Sequence, residues 1–197
     1  MQAIGWHKAR LVGMSMGGGI ATAFTAKLPW LVDSNVVLIG SAGIMELGLT
    51  TCALGSAPVQ RLRHSAIGKF LFTPRLSPAI PSELTHAEQE RKKLKSFFKL
   101  QRVLLPGYDS ALVSSVYFGP VTGLEKVFKQ LGEMKGIKVQ LIWGTKDTIV
   151  PFEYVDKTKS LVPYAELFIV DNAAHVSDLF INHTALVTKS LIDFLRS

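Results

Sequence analysis

Four short apolar runs punctuate the chain: Ala9–Gly13, Asn35–Gly40, Lys138–Gly144 and Ala165–Val170. Val36-Val37-Leu38-Ile39 and Leu167-Phe168-Ile169-Val170 are continuous rather than alternating. Strands buried on both faces read this way, as in a parallel sheet covered by helices. Helical periodicity fills the intervals between the runs. Ile20, Ala23, Phe24 and Lys27 follow the first, and Pro29 ends that helix because it cannot supply the next backbone donor. Leu124, Val127, Phe128 and Leu131 fall on one helical face, with Gly136 as a stop. Thr184 is placed to cap a last helix whose buried face carries Val187, Leu191 and Phe194. Strand–helix alternation of this kind predicts an α/β fold with a parallel sheet.

One interval breaks the rhythm. Residues 41 to about 122 separate the second and third runs, too long for a structureless loop inside a compact domain. The interval has helical signals of its own: Thr85-His86-Ala87-Glu88 has the form of a capping box, followed by Leu94, Phe97, Phe98 and Leu105. Thr73 to Pro81 holds three prolines and reads as a connector. The organisation expected is a core of residues 1–43 and 121–197 with a helical, lid-like insertion at 44–120.

Composition narrows the class. Nearly half of the 197 residues are apolar, enough for a normal core and against disorder. Cys52 is the only cysteine, which excludes a disulfide scaffold or a cysteine zinc site within the chain and fits a reducing compartment such as the cytoplasm. No apolar run approaches the length of a membrane helix, and the start has no secretory pattern. The formal charge of +7 is local: residues 61–102 hold ten basic and three acidic side chains, and the remainder is balanced.

The sharpest chemical signal is Gly13-Met14-Ser15-Met16-Gly17, directly after an apolar strand and before a helix. A G-x-S-x-G turn of this kind presents a strained serine at the strand end. Side chains two positions either side of the serine would clash with neighbouring backbone, so glycine is required at Gly13 and Gly17. The turn also aims the N–H of Met16, at a helix start, toward a developing oxyanion.

A serine hydroxyl needs a base, and the base an orienting acid. Asp147 follows the third strand in Gly144-Thr145-Lys146-Asp147, and His175 follows the fourth in Asp171-Asn172-Ala173-Ala174-His175. In a parallel sheet, the carboxyl ends of the strands share one edge, so the three residues converge there. Each also has a plain reading: an inert turn serine, an aspartate capping the helix near Pro151, an ordinary loop histidine. Glu46, after the second strand, competes with Asp147 for the acid role. His7, His64, His86 and His183 are less well placed, and Asp171 and Asp178 are too close in sequence to His175 to support it from a separate strand. No grouping has metal-ligand spacing, and no phosphate-loop pattern occurs.

These motifs resemble those of the α/β-hydrolase fold superfamily, of the type with a helical cap inserted after the sixth strand. Val12 to Gly18 looks like the family's nucleophile elbow, Gly144 to Pro151 like its acid loop, and Ala173-Ala174-His175 like its histidine loop, with alanine at 174 where glycine is usual. The resemblance implies a serine hydrolase of carboxylic esters with the triad Ser15, Asp147 and His175, Met16 as an oxyanion donor, and no cofactor or metal. It leaves open thioester, amide, carbon–carbon or peroxidase chemistry on the same triad. A serine nucleophile argues against the dehalogenase and epoxide hydrolase branches. In the family, the elbow follows the fifth of eight strands, and the loop after the third strand supplies a second oxyanion donor, often from His-Gly. No His-Gly occurs here, so the chain is expected to be the C-terminal portion of a longer enzyme. A catalytically inert fragment is the remaining alternative.

The basic insertion has two readings, a solvated helix face or a surface drawn to anionic membranes. Nucleic acid is not an expected partner, because no recognition motif accompanies the charge. Phe70, Leu71, Phe72, Phe97, Phe98, Leu104 and Leu105 offer apolar surface either for an acyl pocket or for the insertion's own core.

Overall fold

The computed structural model describes residues 2–46 and 86–197. The chain divides into two compact units, Met1–Glu46 with Pro120–Ser197, and Leu47–Gly119. The first unit is built on strands β1 (Ala9–Met14), β2 (Val32–Ile39), β3 (Lys138–Gly144) and β4 (Glu166–Val170). They form one sheet in the order β1-β2-β3-β4, every pair parallel. Helix α1 (Met16–Lys27) links β1 to β2. In the second unit, α2 (His86–Leu104) and α3 (Tyr108–Phe118) are described. The first unit resumes with α4 (Glu125–Glu133) before β3, α5 (Tyr154–Leu161) before β4, and then α6 (Val176–Asn182) and α7 (Thr184–Arg196).

The continuous apolar run of β2 is explained by two cores. Val36 and Leu38 point into one, with Val139, Leu141, Phe128 and Leu131. Val37 and Ile39 point into the other, with Ile142, Val170, Leu179, Val187 and Phe194. β4 departs from the expectation of burial on both faces. It is an edge strand among the described residues, and Leu167 and Ile169 remain 38% and 44% exposed. β1 is the other edge, with Val12 and Met14 exposed.

Helix α1 also differs from its periodic reading. Its buried residues are Gly18, Gly19, Ala21, Thr22 and Thr25, whereas Ile20 is exposed. The helix lies too close to its neighbours for large side chains: a Cβ on Gly18 would fall 2.1 Å from the Ser41 hydroxyl oxygen. Buried Thr22 and Thr25 satisfy their hydroxyls by donating to the carbonyls of Gly18 and Ala21. Helix α7 begins at Thr184 itself, with His183 at the cap position. The Thr184 hydroxyl donates backward to the Phe180 carbonyl instead of capping, because that acceptor lies one turn earlier in α6.

The outgoing and returning chains are tied together where the first unit is interrupted. Gly43 and Met45 both donate backbone N–H bonds to the Val121 carbonyl, and Leu124 donates to Gly43. Ile44 between them is fully buried. From α5, the Lys157 ammonium donates to the Ile44 carbonyl and to the carboxylates of Glu46 and Glu125. Desolvation works to lower the Lys157 pKa, but the two carboxylates outweigh it and hold the group above its ordinary value.

Within the second unit, Arg102 of α2 pairs with Asp109 of α3, and Lys93 with Glu90. Phe97, Phe98, Leu104 and Leu105 are exposed, as are Lys92, Lys93, Lys95 and Arg102. The Thr85 cap and Phe70, Leu71 and Phe72 lie outside the described residues. Among the described residues, no helix is long and apolar enough to cross a membrane.

Candidate active site

Ser15 stands alone between the last residue of β1 and the first of α1. Its backbone has φ 53° and ψ −124°, a region that costs a residue with a side chain about 1–3 kcal/mol. Three backbone bonds hold it there. Its N–H donates to the Ile39 carbonyl at 2.9 Å, and its own carbonyl accepts from Gly18 and Ala42, each at 2.9 Å. The end of β2 and the residues after it thus clamp the turn. Met16 opens α1, so its N–H is among those with no acceptor inside the helix.

The steric demand expected at both flanking glycines falls on only one. A Cβ on Gly13 would lie 2.4 Å from the Gly17 carbonyl oxygen and 2.7 Å from Gly18 Cα. At Gly17 itself, such a Cβ meets nothing within 4 Å beyond its chain neighbours and the backbone of its own helix. This corrects the expectation for Gly17, which is the obstacle to a side chain at position 13 and has open space of its own. The second constraint moves one residue on, to Gly18.

Asp147 closes the turn after β3. Its N–H donates to the Gly144 carbonyl, and its side chain is fully buried. Oδ1 accepts the N–H groups of Ile149 and Val150, both at 2.9 Å. That is the capping geometry of the plain reading, but it occupies only one carboxylate oxygen. Oδ2 lies 2.6 Å from Nδ1 of His175. An ionised carboxylate can only accept, so an ionised Asp147 in this contact requires the proton on Nδ1. Glu46, the rival acid, is exposed and paired with Lys157.

His175 sits at the N-terminal cap position of α6 with its side chain 18% exposed. The loop before it rests on β3: Lys146 donates to the Ala173 carbonyl, and Ala173 is fully buried. Gly40, the residue after β2, completes the arrangement and was not singled out by sequence pattern. It has φ +49°, and a Cβ there would lie 3.2 Å from both Asp147 Oδ2 and His175 Cε1. Ser15 therefore bonds to Ile39 while the acid–imidazole pair packs on the next residue, Gly40. The Ser15 hydroxyl itself is not hydrogen-bonded to the imidazole. A glycine just past a strand is too common to have signalled this role. Asp178, dismissed for its nearness to His175, is buried in the first turn of α6.

A parallel sheet with Ser15, Asp147 and His175 beyond the carboxyl ends of β1, β3 and β4 defines an α/β protein. A family model for the alpha/beta hydrolase fold matches residues 1–180, and the chain belongs to that family. It is 28% identical to lipase 1 of Psychrobacter immobilis, over 83% of this chain and 49% of the lipase. It is 26% identical to 2-hydroxy-6-oxo-6-phenylhexa-2,4-dienoate hydrolase of Burkholderia cepacia, over 100% of this chain and 66% of the relative. A solved hydrolase of the same description from a Rhodococcus species superposes with a TM-score of 0.67 at 22% identity. That match covers 100% of this chain and 67% of the other, and it is a likeness of fold. The chain spans about half the length of several of the curated relatives it matches.

Proposed function

We propose that this chain carries the nucleophile, acid and base of a serine hydrolase acting on carboxylic esters. Ser15 attacks the ester carbonyl through Oγ and gives its proton to His175 Nε2. Asp147 keeps the ring in the required tautomer and stabilises the imidazolium. The Met16 N–H donates to the oxyanion. Collapse expels the alcohol, protonated by His175, and leaves an acyl-Ser15 ester. Water, deprotonated by His175, then releases the acid and restores the serine. The single observation that carries this reading is the 2.6 Å contact of Asp147 Oδ2 with His175 Nδ1 beside the strained Ser15 turn. Nucleophile–base bonds are often long before substrate binds, so the free Ser15 hydroxyl is compatible with the role.

Covalent labelling by a fluorophosphonate, lost in Ser15→Ala and His175→Ala, is the expected result, together with turnover of short p-nitrophenyl esters. A folded chain that never labels would overturn the reading. The Burkholderia relative, named for a dienoate substrate, supports carbon–carbon hydrolysis as a second reading on the same residues. Turnover of a vinylogous 1,5-diketone acid with no ester turnover would favour it.

A further inference from the structure

We propose that Asp178 is a positioning residue for His175, fixing the histidine from the helix side as Asp147 fixes its ring from the strand side. The inference rests on the assignment of Ser15, Asp147 and His175 above. Asp178 touches none of the reacting atoms and acts through the backbone on either side of the histidine.

The argument begins with a conflict at the start of α6. A helix N-terminus leaves backbone N–H groups without acceptors, and the usual remedy is a side-chain oxygen at the cap position. Here the cap position belongs to His175, which makes no side-chain capping bond. Its Nδ1 is already engaged by Asp147. Asp178, the third residue of the helix, takes over. Its Oδ2 accepts the Ala174 N–H at 2.7 Å, and its own N–H donates to the His175 carbonyl at 2.7 Å. In a capping box, the third helical residue reaches back to the cap residue. Here it reaches one residue further, so the two bonds bracket His175.

Two further contacts make the bracket stiff. The Asn182 amide, one turn along α6, donates to Asp178 Oδ1 and sets the carboxylate's orientation. On the other side, Ala173 is held by the Lys146 N–H and packs against β3, where a Cβ on Gly144 would fall 2.3 Å from the Ala173 carbonyl oxygen. Residues 173–175 are thus pinned between the acid loop and Asp178. Asp178 is only 7% exposed, and a carboxylate buried to that degree is strongly disfavoured unless its oxygens are bonded. A short surface helix can be capped by water or a serine without that penalty. A buried acid at this point is accounted for by a loop that must hold one conformation.

The test uses Asp178→Ala and Asp178→Asn in the full chain, with three readouts: the thermal melt, the low-field proton resonance of the short His175–Asp147 bond, and the rate of fluorophosphonate labelling. With the fold retained, Asp178→Ala should lose or broaden the resonance and label roughly 10²-fold more slowly, the scale of a misplaced catalytic group. Where a p-nitrophenyl ester is turned over, kcat should fall while KM holds. Asp178→Asn keeps an oxygen for the Ala174 N–H and should recover most of the loss. Asp178→Ala with unchanged resonance and labelling would overturn the proposal. So would a folded Asp178→Asn variant that loses the resonance and labels roughly 10²-fold more slowly, a result that also decides the matter if the alanine variant does not fold. If the unaltered chain never labels, the hydrolase reading fails on its own, and the resonance still reports whether Asp178 holds the His175–Asp147 bond.

Discussion

Asp147 Oδ2 lies 2.6 Å from His175 Nδ1, while Oδ1 of the same carboxylate accepts two backbone N–H groups. One side chain therefore both shapes the loop after β3 and orients the imidazole. The two duties separate on substitution. Asp147→Asn keeps an oxygen for Ile149 and Val150 but offers an N–H to Nδ1, which favours the wrong tautomer. Labelling of Ser15 should fall by about 10³–10⁴, by analogy with the serine proteases, with little change in the melt. Asp147→Ala should also lower stability by roughly 1–3 kcal/mol for each orphaned N–H, read from urea titrations of the two variants.

Gly40→Ala tests the residue that links Ser15 to the pair. Alanine at φ +49° is strained by about 1–2 kcal/mol. Its methyl would also press on Asp147 Oδ2 and His175 Cε1, each 3.2 Å away. A lower melting temperature and roughly tenfold slower labelling are expected. An unchanged labelling rate would show that the imidazole has room to yield.

The two elbow glycines should respond oppositely. At Gly13 a methyl group meets the Gly17 and Gly18 backbone, and the chain should lose about 3 kcal/mol or fail to accumulate as folded protein. At Gly17, with open space in the first turn of α1, alanine should be neutral or gain up to about 1 kcal/mol from helix propensity. Parallel expression and melting of Gly13→Ala and Gly17→Ala would decide it.

Tyr164 gives a dependence on pH. Burial pushes its hydroxyl pKa up, and the hydroxyl donates to the Leu131 carbonyl at 2.7 Å. The folded state holds this proton more tightly than the unfolded state does. The contribution is therefore fully present below the ordinary tyrosine value of about 10 and is lost as pH rises through the folded value. Melting temperature should fall above about pH 10, and Tyr164→Phe should flatten that part of the curve. At neutral pH the same change should cost about 0.5 kcal/mol.

The strands were legible because two packed faces require continuous apolar runs, as Val36 to Ile39 illustrate. Helix α1 was legible as a helix ending before Pro29, but its buried face was not, because close packing favours Gly18, Gly19 and Thr22 there and apolar periodicity does not detect a face made of small residues. The meeting of Asp147 with His175 was legible from their order and their places after strands. Asp178 was not, because nearness in sequence was counted against it; proximity excludes support of the ring from another strand but favours support of the backbone. Gly40 was hidden because its role is to leave space.

The tie between Gly43, Met45 and Val121 has a consequence for how this chain can vary. The ends of the interruption are already side by side, so closing them with a short linker would carry only a small entropic penalty. The segment between is in effect a cassette: it can be lengthened, exchanged or cut back without re-registering β2 against β3. Evolution, or a designer, can therefore rewrite that segment while Ser15, Asp147 and His175 keep their settings.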